Sequence, residues 1–487
     1  MNEAIRNIEP KEVWNHFTDL NTVPRPSKKE ERVIAFMKAF GESLQLPTYV
    51  DEVGNVIIKK PATPGMENRM TVCLQGHIDM VHQKNASTVF DFDTQGIEMM
   101  IDGDWVRANG TTLGADNGMG IAASMAILSS TSIAHPAIEA LFTIDEETGM
   151  TGAIGLQGGL LDAEIMLNLD TEDDEELTIG CAGGVDVTGT GTYETQAVDA
   201  NAVAFKITVK GLTGGHSGMD IHKGRGNANK LMNRLLVNVA NDFGAQIHSI
   251  DGGSLRNAIP RESNAIVVVS KEKENAYKTY LTEMNATYQA EYHFTDPNLV
   301  VLCESTDLPT TVLNKDFQYK LIRVIYSLHA GIYRMDSNIA GLVQTSNNVS
   351  RILVQDGSYS IQNLTRSSNN TEKMDLADAL KSSMELLGAT VTYGSSYPGW
   401  NPNPEAKIVK LMVDLYSKIN HGEKPAVNAC HAGLECGILG TNYPAMEMIS
   451  FGPTITGAHS PDERVNIKSV QKFWHYLVET LKEIPLK

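Results

Sequence analysis

Residues 71–80 read TVCLQGHIDM, and this short stretch decides how the rest of the sequence is interpreted. Its first half is apolar and predicts a buried β-strand. His77 and Asp79 follow two positions apart, so in an extended chain both side chains point to the same side. An imidazole beside a carboxylate is a common way to bind a divalent metal ion. A lone His-x-Asp pair also arises by chance at a strand end, so the other motifs must decide.

The size and charge of the chain limit its class. With 487 residues it is too long for one ordinary core, and two domains are expected. Its apolar content of 42% is that of a globular protein. The net charge of -19 argues against nucleic acid or an anionic membrane as a partner. The same charge suits a site that attracts divalent cations.

The cysteines and the N-terminus indicate the compartment. The five cysteines are scattered and form no Cys-x-x-Cys pair, which predicts free thiols in a reducing environment. Residues 1–14 carry charges and no long apolar run, so no signal peptide is expected. No stretch reaches the ~18 apolar residues of a membrane helix. We therefore expect a cytoplasmic protein without a membrane partner.

Two local signals predict structure near the N-terminus. Ser27 followed by Glu30 is a capping-box pattern for a helix over residues 30–44. The tetrapeptide at 102–105, DGDW, is typical of a β-hairpin turn.

Acidic residues follow two further predicted strands. Residues 138–144 read as a strand that runs into the acids at 145–147. Residues 164–169 form another strand, which ends in Asp170. Because strands alternate with helices here, we expect an α/β sheet, whose ligands bind beyond the carboxyl ends of its strands.

Histidines and carboxylates thus gather at one predicted sheet edge. They are His77, Asp79, Asp116, Glu146, Glu147, Asp170 and His459. This donor set suits a pair of divalent ions that activate water. Adjacent side chains diverge, so of Glu146 and Glu147 we expect one to bind metal and the other to act as a base. The alternative is that these acids only solvate strand ends.

The middle of the chain differs in character from its two ends. Residues 203–209 alternate between apolar and polar, as in a half-buried strand, and a strand-helix-strand pattern occurs about twice. We predict an α/β catalytic domain made of residues 1–185 and 392–487, with a central, mostly parallel sheet flanked by helices. Residues 186–391 are predicted to form an inserted α+β lid domain.

The order of these motifs resembles the metallopeptidase family of aminoacylases, glutamate carboxypeptidases and succinyl-diaminopimelate desuccinylases. The likeness runs from near Pro10 to Pro485. It includes three long segments, KPATPGMEN at 60–68, TTLGADNG at 111–118 and GPTITG at 452–457. These matches are far more specific than a His-x-Asp pair.

The resemblance implies two divalent metal ions per chain. His77 and Asp170 resemble ligands of one ion, Glu147 and His459 resemble ligands of the other, and Asp116 matches the bridging carboxylate. Zn²⁺ is the expected metal, with Co²⁺ or Mn²⁺ as alternatives.

The resemblance also implies roles in catalysis. Glu146 matches the general base, and Asp79 matches the acid that orients the neighbouring histidine ligand. The family has a cis peptide bond after the bridging acid, which here is the bond between Asp116 and Asn117.

Further site residues are expected in and near the insertion. His216 resembles a lid histidine that stabilises the oxyanion, although a histidine in a glycine-rich loop is often only a turn residue. Asn257 and Arg366 resemble residues that hold the substrate's carbonyl and terminal carboxylate; a surface ion pair is the alternative for Arg366. His431 and Glu435 are expected to line the pocket, or else to make structural hydrogen bonds.

The resemblance implies a cytosolic metallo-dipeptidase that hydrolyses Xaa-His (carnosine-like) and other unblocked dipeptides by metal-activated water. Dipeptides are then the expected partners, and a homodimer is left open. One alternative is another amide hydrolase of the same scaffold, an N-acyl amino acid deacylase or a carboxypeptidase. The other is a non-catalytic metal-dependent binding protein, against which the presence of Glu146 argues.

Overall fold

The computed structural model describes residues 2–487. Within this range the strands, numbered in chain order, are β1 Thr48–Val50, β2 Val56–Lys60, β3 Val72–His77, β4 Met99–Asp102, β5 Trp105–Ala108, β6 Ile138–Thr143, β7 Ile165–Asn168, β8 Glu176–Cys181, β9 Gly183–Thr192, β10 Thr195–Ala197, β11 Ala202–Lys210, β12 Gln246–Gly253, β13 Ser263–Ser270, β14 Val300–Thr306, β15 Thr311–Leu313, β16 Gly331–Met335, β17 Val343–Gln355, β18 Ser358–Ser367, β19 Thr390–Tyr397, β20 Ala426–Cys430, β21 Glu447–Ser450, β22 Ile455–Thr456 and β23 Arg464–Asn466. The α-helices are α1 Lys11–Asn21, α2 Glu31–Ser43, α3 Ala115–Ser129, α4 Thr151–Gly155, α5 Ala228–Phe243, α6 Glu274–Glu291, α7 Lys315–Ser327, α8 Asn370–Glu385, α9 Lys407–Ile419, α10 Glu435–Asn442 and α11 Ile467–Glu483.

The chain divides into two compact units. The first unit consists of Met1–Gly180 (described from residue 2), Trp400–Ala429 and Leu434–Lys487, and the second unit consists of Cys181–Gly399 and Cys430–Gly433. These borders lie outside the predicted limits of the insertion, 186 and 391. The reason is that β9 begins at Gly183 and β19 runs to Tyr397, and both strands pair within the sheet of the second unit. The assignment of a catalytic and a lid role to the two units stays a prediction.

The first unit is built on an eight-stranded sheet in the order β1-β2-β6-β3-β7-β21-β8-β20. Its central strands β6, β3, β7 and β21 run parallel. Antiparallel strands adjoin them, because β2 pairs with β6 and β8 pairs with β21 in the opposite direction. Every residue of β3, β6 and β7 is buried, and α3 packs against β3. The predicted α/β class is confirmed.

The register of the parallel strands places the predicted site residues at one edge. His77 lies opposite Thr143, the last residue of β6, and Gln75 lies opposite Asn168, the last residue of β7. Parallel strands deliver the segments that follow them to the same side of the sheet. The acids after β6 and Asp170 after β7 therefore emerge beside His77.

A glycine lets the start of α3 lie close to β3. A Cβ atom on Gly76 would lie 2.1 Å from Oδ1 of Asn117, so a larger residue between the strand and the helix would have to displace that side chain. The peptide bond between Asp116 and Asn117 is cis, as the family resemblance implies.

Both predicted elements are present, the helix as α2 Glu31–Ser43, but the predicted capping box is wrong. The 102–105 hairpin joins β4 to β5 as expected. Helix α2, however, has Glu30 at its N-cap and no side-chain cap. Ser27 does not form a capping box, because its hydroxyl donates to Asp79 Oδ2 at 2.7 Å instead.

The second unit contains a nine-stranded sheet, in the order β14-β11-β13-β12-β17-β18-β9-β19 with β16 paired to β17. Its strand pairs are antiparallel, as an α+β domain requires. Helices α5, α6, α7 and α8 supply part of a large apolar core, which includes Leu235, Tyr277, Ile322 and Leu376. Across residues 2–487, no helix is both long and apolar enough to cross a membrane.

Candidate active site

His77, at the end of β3, is surrounded by three carboxylates of the first unit. Its Nδ1 lies 3.2 Å from Asp79 Oδ1. Its Nε2 lies 3.1 Å from Asp116 Oδ1 and 3.5 Å from Asp170 Oδ1. The imidazole is only 1% exposed, so these contacts are made away from water.

His459 forms a second centre that shares Asp116 with the first. Its Nε2 lies 3.2 Å from Asp116 Oδ2 and 3.0 Å from Glu147 Oε2. Each oxygen of the Asp116 carboxylate thus contacts a different histidine. This arrangement suits a carboxylate that is shared by two metal ions.

The donor atoms fit a pair of cations. Three sets of ligand atoms each lie within 4.8 Å of one another: His77, Asp116 and Asp170; Asp116, Glu147 and His459; and His77, Glu146 and Glu147. Within residues 2–487, Glu147 Oε1 is buried without a hydrogen-bond donor, and the buried Asp170 Oδ1 has no donor beyond its long 3.5 Å contact with His77 Nε2. Buried carboxylate oxygens without donors are costly unless a cation binds them.

The acids and histidines strongly perturb each other. Burial raises the pKa of Asp170 to about 6, and repulsion from Glu147 adds to this effect. Burial also raises the pKa of Glu146 well above its usual value, and Asp170 and Glu147 repel its charged form. Hydrogen bonds with Asp116 and Glu147 raise the pKa of His459 to about 11. Burial opposes ionisation of Asp116, yet the histidines lower its pKa. The site holds more negative than positive charge, which favours a bound cation.

Asp79 joins the end of β3 to the loop after β6. Its carboxylate accepts the main-chain N–H of Glu146 at 3.1 Å, the N–H of Glu147 at 3.3 Å and the hydroxyl of Ser27. Burial alone would raise the pKa of Asp79. The hydrogen bonds from His77 and Ser27 outweigh this effect, so the pKa of Asp79 is lowered overall. A charged Asp79 therefore holds the two adjacent glutamates in place.

Glu435 lies in the same unit with one oxygen free. Its Oε2 accepts from Gln75 Nε2 and from Thr143 Oγ1, both at 2.6 Å. Its Oε1 is buried and has no hydrogen-bond partner in the part of the chain that the structure describes. Burial, with further repulsion from Asp170, raises the pKa of Glu435 to about 7.

Sequence reasoning missed two buried charged residues of the first unit. The guanidinium of Arg25 donates to the main-chain carbonyls of Ile78, Asp79 and Gly114. Burial lowers the pKa of Arg25 to about 10. Glu463 accepts main-chain N–H groups around Asp116. Nothing in the local sequence distinguishes either residue from a surface charge.

The second unit fixes one tautomer of His216. Its Nδ1 accepts the main-chain N–H groups of Gly218 at 3.2 Å and Met219 at 3.1 Å. Burial and the nearby Arg366 lower the pKa of His216. The neutral ring therefore carries its proton on Nε2 and presents it as a hydrogen-bond donor.

Arg366 is buried beside this ring and does not fit the alternative of a surface ion pair. It is 4% exposed, and its Nη2 lies 3.4 Å from His216 Nε2. It donates to Tyr397 Oη at 2.9 Å, and its Nε lies 3.4 Å from Ser217 Oγ. Together His216 and Arg366 form a group of donors suited to an anionic or carbonyl oxygen.

The two other predicted residues of this unit differ in environment. His431 is buried, its Nε2 is 2.7 Å from Ser346 Oγ, and burial with the charge of Arg366 lowers its pKa to about 3. Asn257 is exposed, and its main-chain carbonyl accepts the N–H of Ser217 at 2.8 Å. The structure thus favours a structural hydrogen bond for His431 and leaves the side chain of Asn257 available.

Histidines and carboxylates at the carboxyl ends of parallel strands are typical of metal-dependent hydrolases of the α/β class. Residues 73–483 match Peptidase family M20/M25/M40, and the chain belongs to this family. It is 40% identical over 483 residues to the cytosol non-specific dipeptidase of Escherichia coli (strain K12), with 99% of both chains covered.

Two solved structures resemble this chain along its whole length. The crystal structure of aminoacylhistidine dipeptidase from Vibrio alginolyticus matches with a TM-score of 0.94 and 41% identity, over 100% of both chains. The aminopeptidase PepT from Bacillus cereus has a TM-score of 0.58 at 16% identity, over 98% of this chain and 99% of its own. The second likeness concerns the fold alone.

Proposed function

We propose that the protein is a metal-dependent dipeptidase that hydrolyses unblocked dipeptides, Xaa-His dipeptides among them. The observation that carries this is the Asp116 carboxylate, whose two oxygens contact two different histidines. Full-length relatives named as dipeptidases support the substrate class.

Two divalent ions fit the clustered ligands. His77, Asp170 and Asp116 would hold one ion, and Asp116, Glu147 and His459 would hold the other. Such ions, when bound, polarise a peptide carbonyl and make water a stronger nucleophile near neutral pH. The nitrogen and oxygen donors suit Zn²⁺, with Co²⁺ and Mn²⁺ as alternatives.

Glu146 is proposed as the general base. Its main-chain N–H is bound to Asp79, which fixes its position next to Glu147. Burial and neighbouring acids raise its pKa, as an acceptor of the proton of water requires. The same carboxyl then passes a proton to the leaving amine.

Glu435 is proposed to recognise the free amino group of the substrate. Its unpartnered oxygen is buried in the unit that holds the metal ligands, and a bound ammonium group would favour the ionised carboxylate. An unblocked dipeptide carries a cationic ammonium group on the carbon next to its scissile carbonyl. An N-acylated substrate has no ammonium group there.

Residues of the second unit are proposed to complete substrate recognition. His216 presents an Nε2 proton that suits the developing oxyanion, and Arg366 suits the terminal carboxylate. Asn257 is proposed as a further substrate contact. A substrate role for His431 stays a prediction, because its Nε2 is already 2.7 Å from Ser346 Oγ. A cytoplasmic location is proposed from the sequence and from the name of the Escherichia coli relative. A homodimer stays a prediction that light scattering can test.

A substrate panel tests the proposal. Protein stripped of metal and reconstituted with Zn²⁺, Co²⁺ or Mn²⁺ should hydrolyse free Xaa-His dipeptides much faster than their N-acetylated forms. A preference for the N-acetylated forms would instead indicate a deacylase. No turnover with any metal would indicate a binding protein.

A further inference from the structure

One carboxylate of the first unit binds an unusual number of main-chain donors. Glu463 Oε2 accepts the N–H groups of Leu113 at 2.7 Å and Gly114 at 3.0 Å. Its Oε1 accepts those of Ala115 at 2.7 Å and Asp116 at 3.2 Å. These donors lie at the start of α3, where N–H groups have no partner within a helix and where an anion is favoured. Glu463 therefore holds the segment that carries Asp116.

The same residue closes the turn that carries His459. The turn lies between β22 and β23, where the N–H of Ser460 bonds to the carbonyl of Gly457 at 3.2 Å and the N–H of Glu463 bonds to the carbonyl of Ser460 at 3.1 Å. The His459 side chain is 57% exposed, and its backbone adopts the left-handed region with φ 64°. Glu463 is 2% exposed, so it is a buried anchor for an otherwise exposed histidine.

We propose that Glu463 is a positioning residue that sets the metal affinity of one centre, formed by Asp116, Glu147 and His459. This rests on the proposed function, in which that centre binds one of two ions. The other centre depends less on Glu463, because His77 and Asp170 lie at the ends of β3 and β7. The hydrogen bonds between these strands fix their relative position.

Replacing Glu463 by glutamine tests the inference with little change in shape. A carboxamide keeps one acceptor oxygen but presents an NH₂ group toward the other pair of N–H donors. Two of the four hydrogen bonds thus become contacts between donors. Loss of a partner behind a metal ligand typically weakens metal affinity about 10–100-fold. We expect the larger weakening for the ion of the Asp116, Glu147 and His459 centre, and a smaller one for the other ion, which shares only Asp116 with it.

The measurement is chelator competition for Co²⁺, followed through the visible absorption of each bound equivalent. Glu139→Gln is the matched control. Glu139 is also buried, and its Oε2 accepts the N–H groups of Asp162 at 2.8 Å and Ala163 at 2.9 Å. It lies near the start of β6, away from the carboxyl ends of the strands, so Glu139→Gln should bind both equivalents as in the wild type.

Each outcome of this experiment either supports or overturns the proposal. Selective weakening of one equivalent in Glu463→Gln but not in Glu139→Gln supports the proposal. Equal weakening of both equivalents, or of neither, overturns it. If Glu463→Gln does not fold, Glu463→Asp, which is shorter but keeps its charge, must show the selective effect, and its absence overturns the proposal. A wild type that binds fewer than two ions, or that hydrolyses no dipeptide, refutes the proposed function itself, whereas two ions and normal turnover with no selective effect refute only the role of Glu463.

Discussion

Glu146→Gln should separate metal binding from turnover. The substitution keeps the size of the side chain and the main-chain bond from residue 146 to Asp79, so the ligands remain in place. What is lost is the carboxylate that is proposed to accept a proton. General-base catalysis contributes ~10²–10⁴-fold. This corresponds to about 3–5 kcal/mol in the activation free energy, at 1.36 kcal/mol for each factor of ten.

The assay measures kcat on a saturating Xaa-His dipeptide, with elemental analysis of the same metal-loaded sample. Glu147→Gln is the natural comparison, because the adjacent carboxylate contacts His459 at 3.0 Å and is a proposed ligand. We expect Glu146→Gln to retain both ions and to lose turnover. Glu147→Gln should lose one ion in addition to turnover.

Two results would refute this reasoning. If Glu146→Gln loses an ion together with its activity, the roles of the adjacent glutamates are exchanged, which the cluster of His77, Glu146 and Glu147 permits geometrically. If kcat stays within a factor of ten of the wild type, Glu146 is not the base.

Three other variants or treatments give distinct readouts. Glu435→Gln should raise KM for unblocked dipeptides about 10–100-fold, because a charged hydrogen bond contributes about 1.5–3 kcal/mol. Inhibition by an analogue without the amine should stay unchanged. Equal losses of affinity for the dipeptide and for the analogue would contradict an ammonium site. Fully loaded wild type should contain two ions per chain, and chelation should abolish turnover and lower Tm; full activity with one ion would be contrary evidence. Gly76→Ala should displace Asn117 and lower both Tm and metal content, since its Cβ would overlap the Asn117 amide; unchanged values would show that α3 can move.

The strands that deliver the site were predictable because each is a short apolar run followed by acids. The ends of β3, β6 and β7 were located to within a few residues on this basis. Their parallel register then brings the following side chains together without further information.

The contacts behind these side chains were not predictable. Arg25 reaches the carbonyl of Gly114 across 89 positions, and Glu463 reaches the N–H of Leu113 across 350. No local pattern encodes partners so distant. The capping-box prediction failed for the same reason, since Ser27 bonds to Asp79, 52 positions away.

Helix α6 shows a different limit. It spans Glu274–Glu291, but only Tyr277, Leu281 and Tyr288 are buried, so its apolar face is narrow. A pattern with so few core positions is hard to distinguish from a solvated segment.

The discontinuity of the first unit has a consequence for protein synthesis. β21 lies between β7 and β8 in the sheet, although 447–450 are translated long after both. A nascent chain that stops before this strand has a gap in its sheet and lacks both His459 and Glu463. The histidine that contacts Asp116 Oδ2 lies 343 positions further along the chain. The proposed metal site therefore cannot assemble before residues 447–463 have been translated, and a chain that stops earlier lacks it.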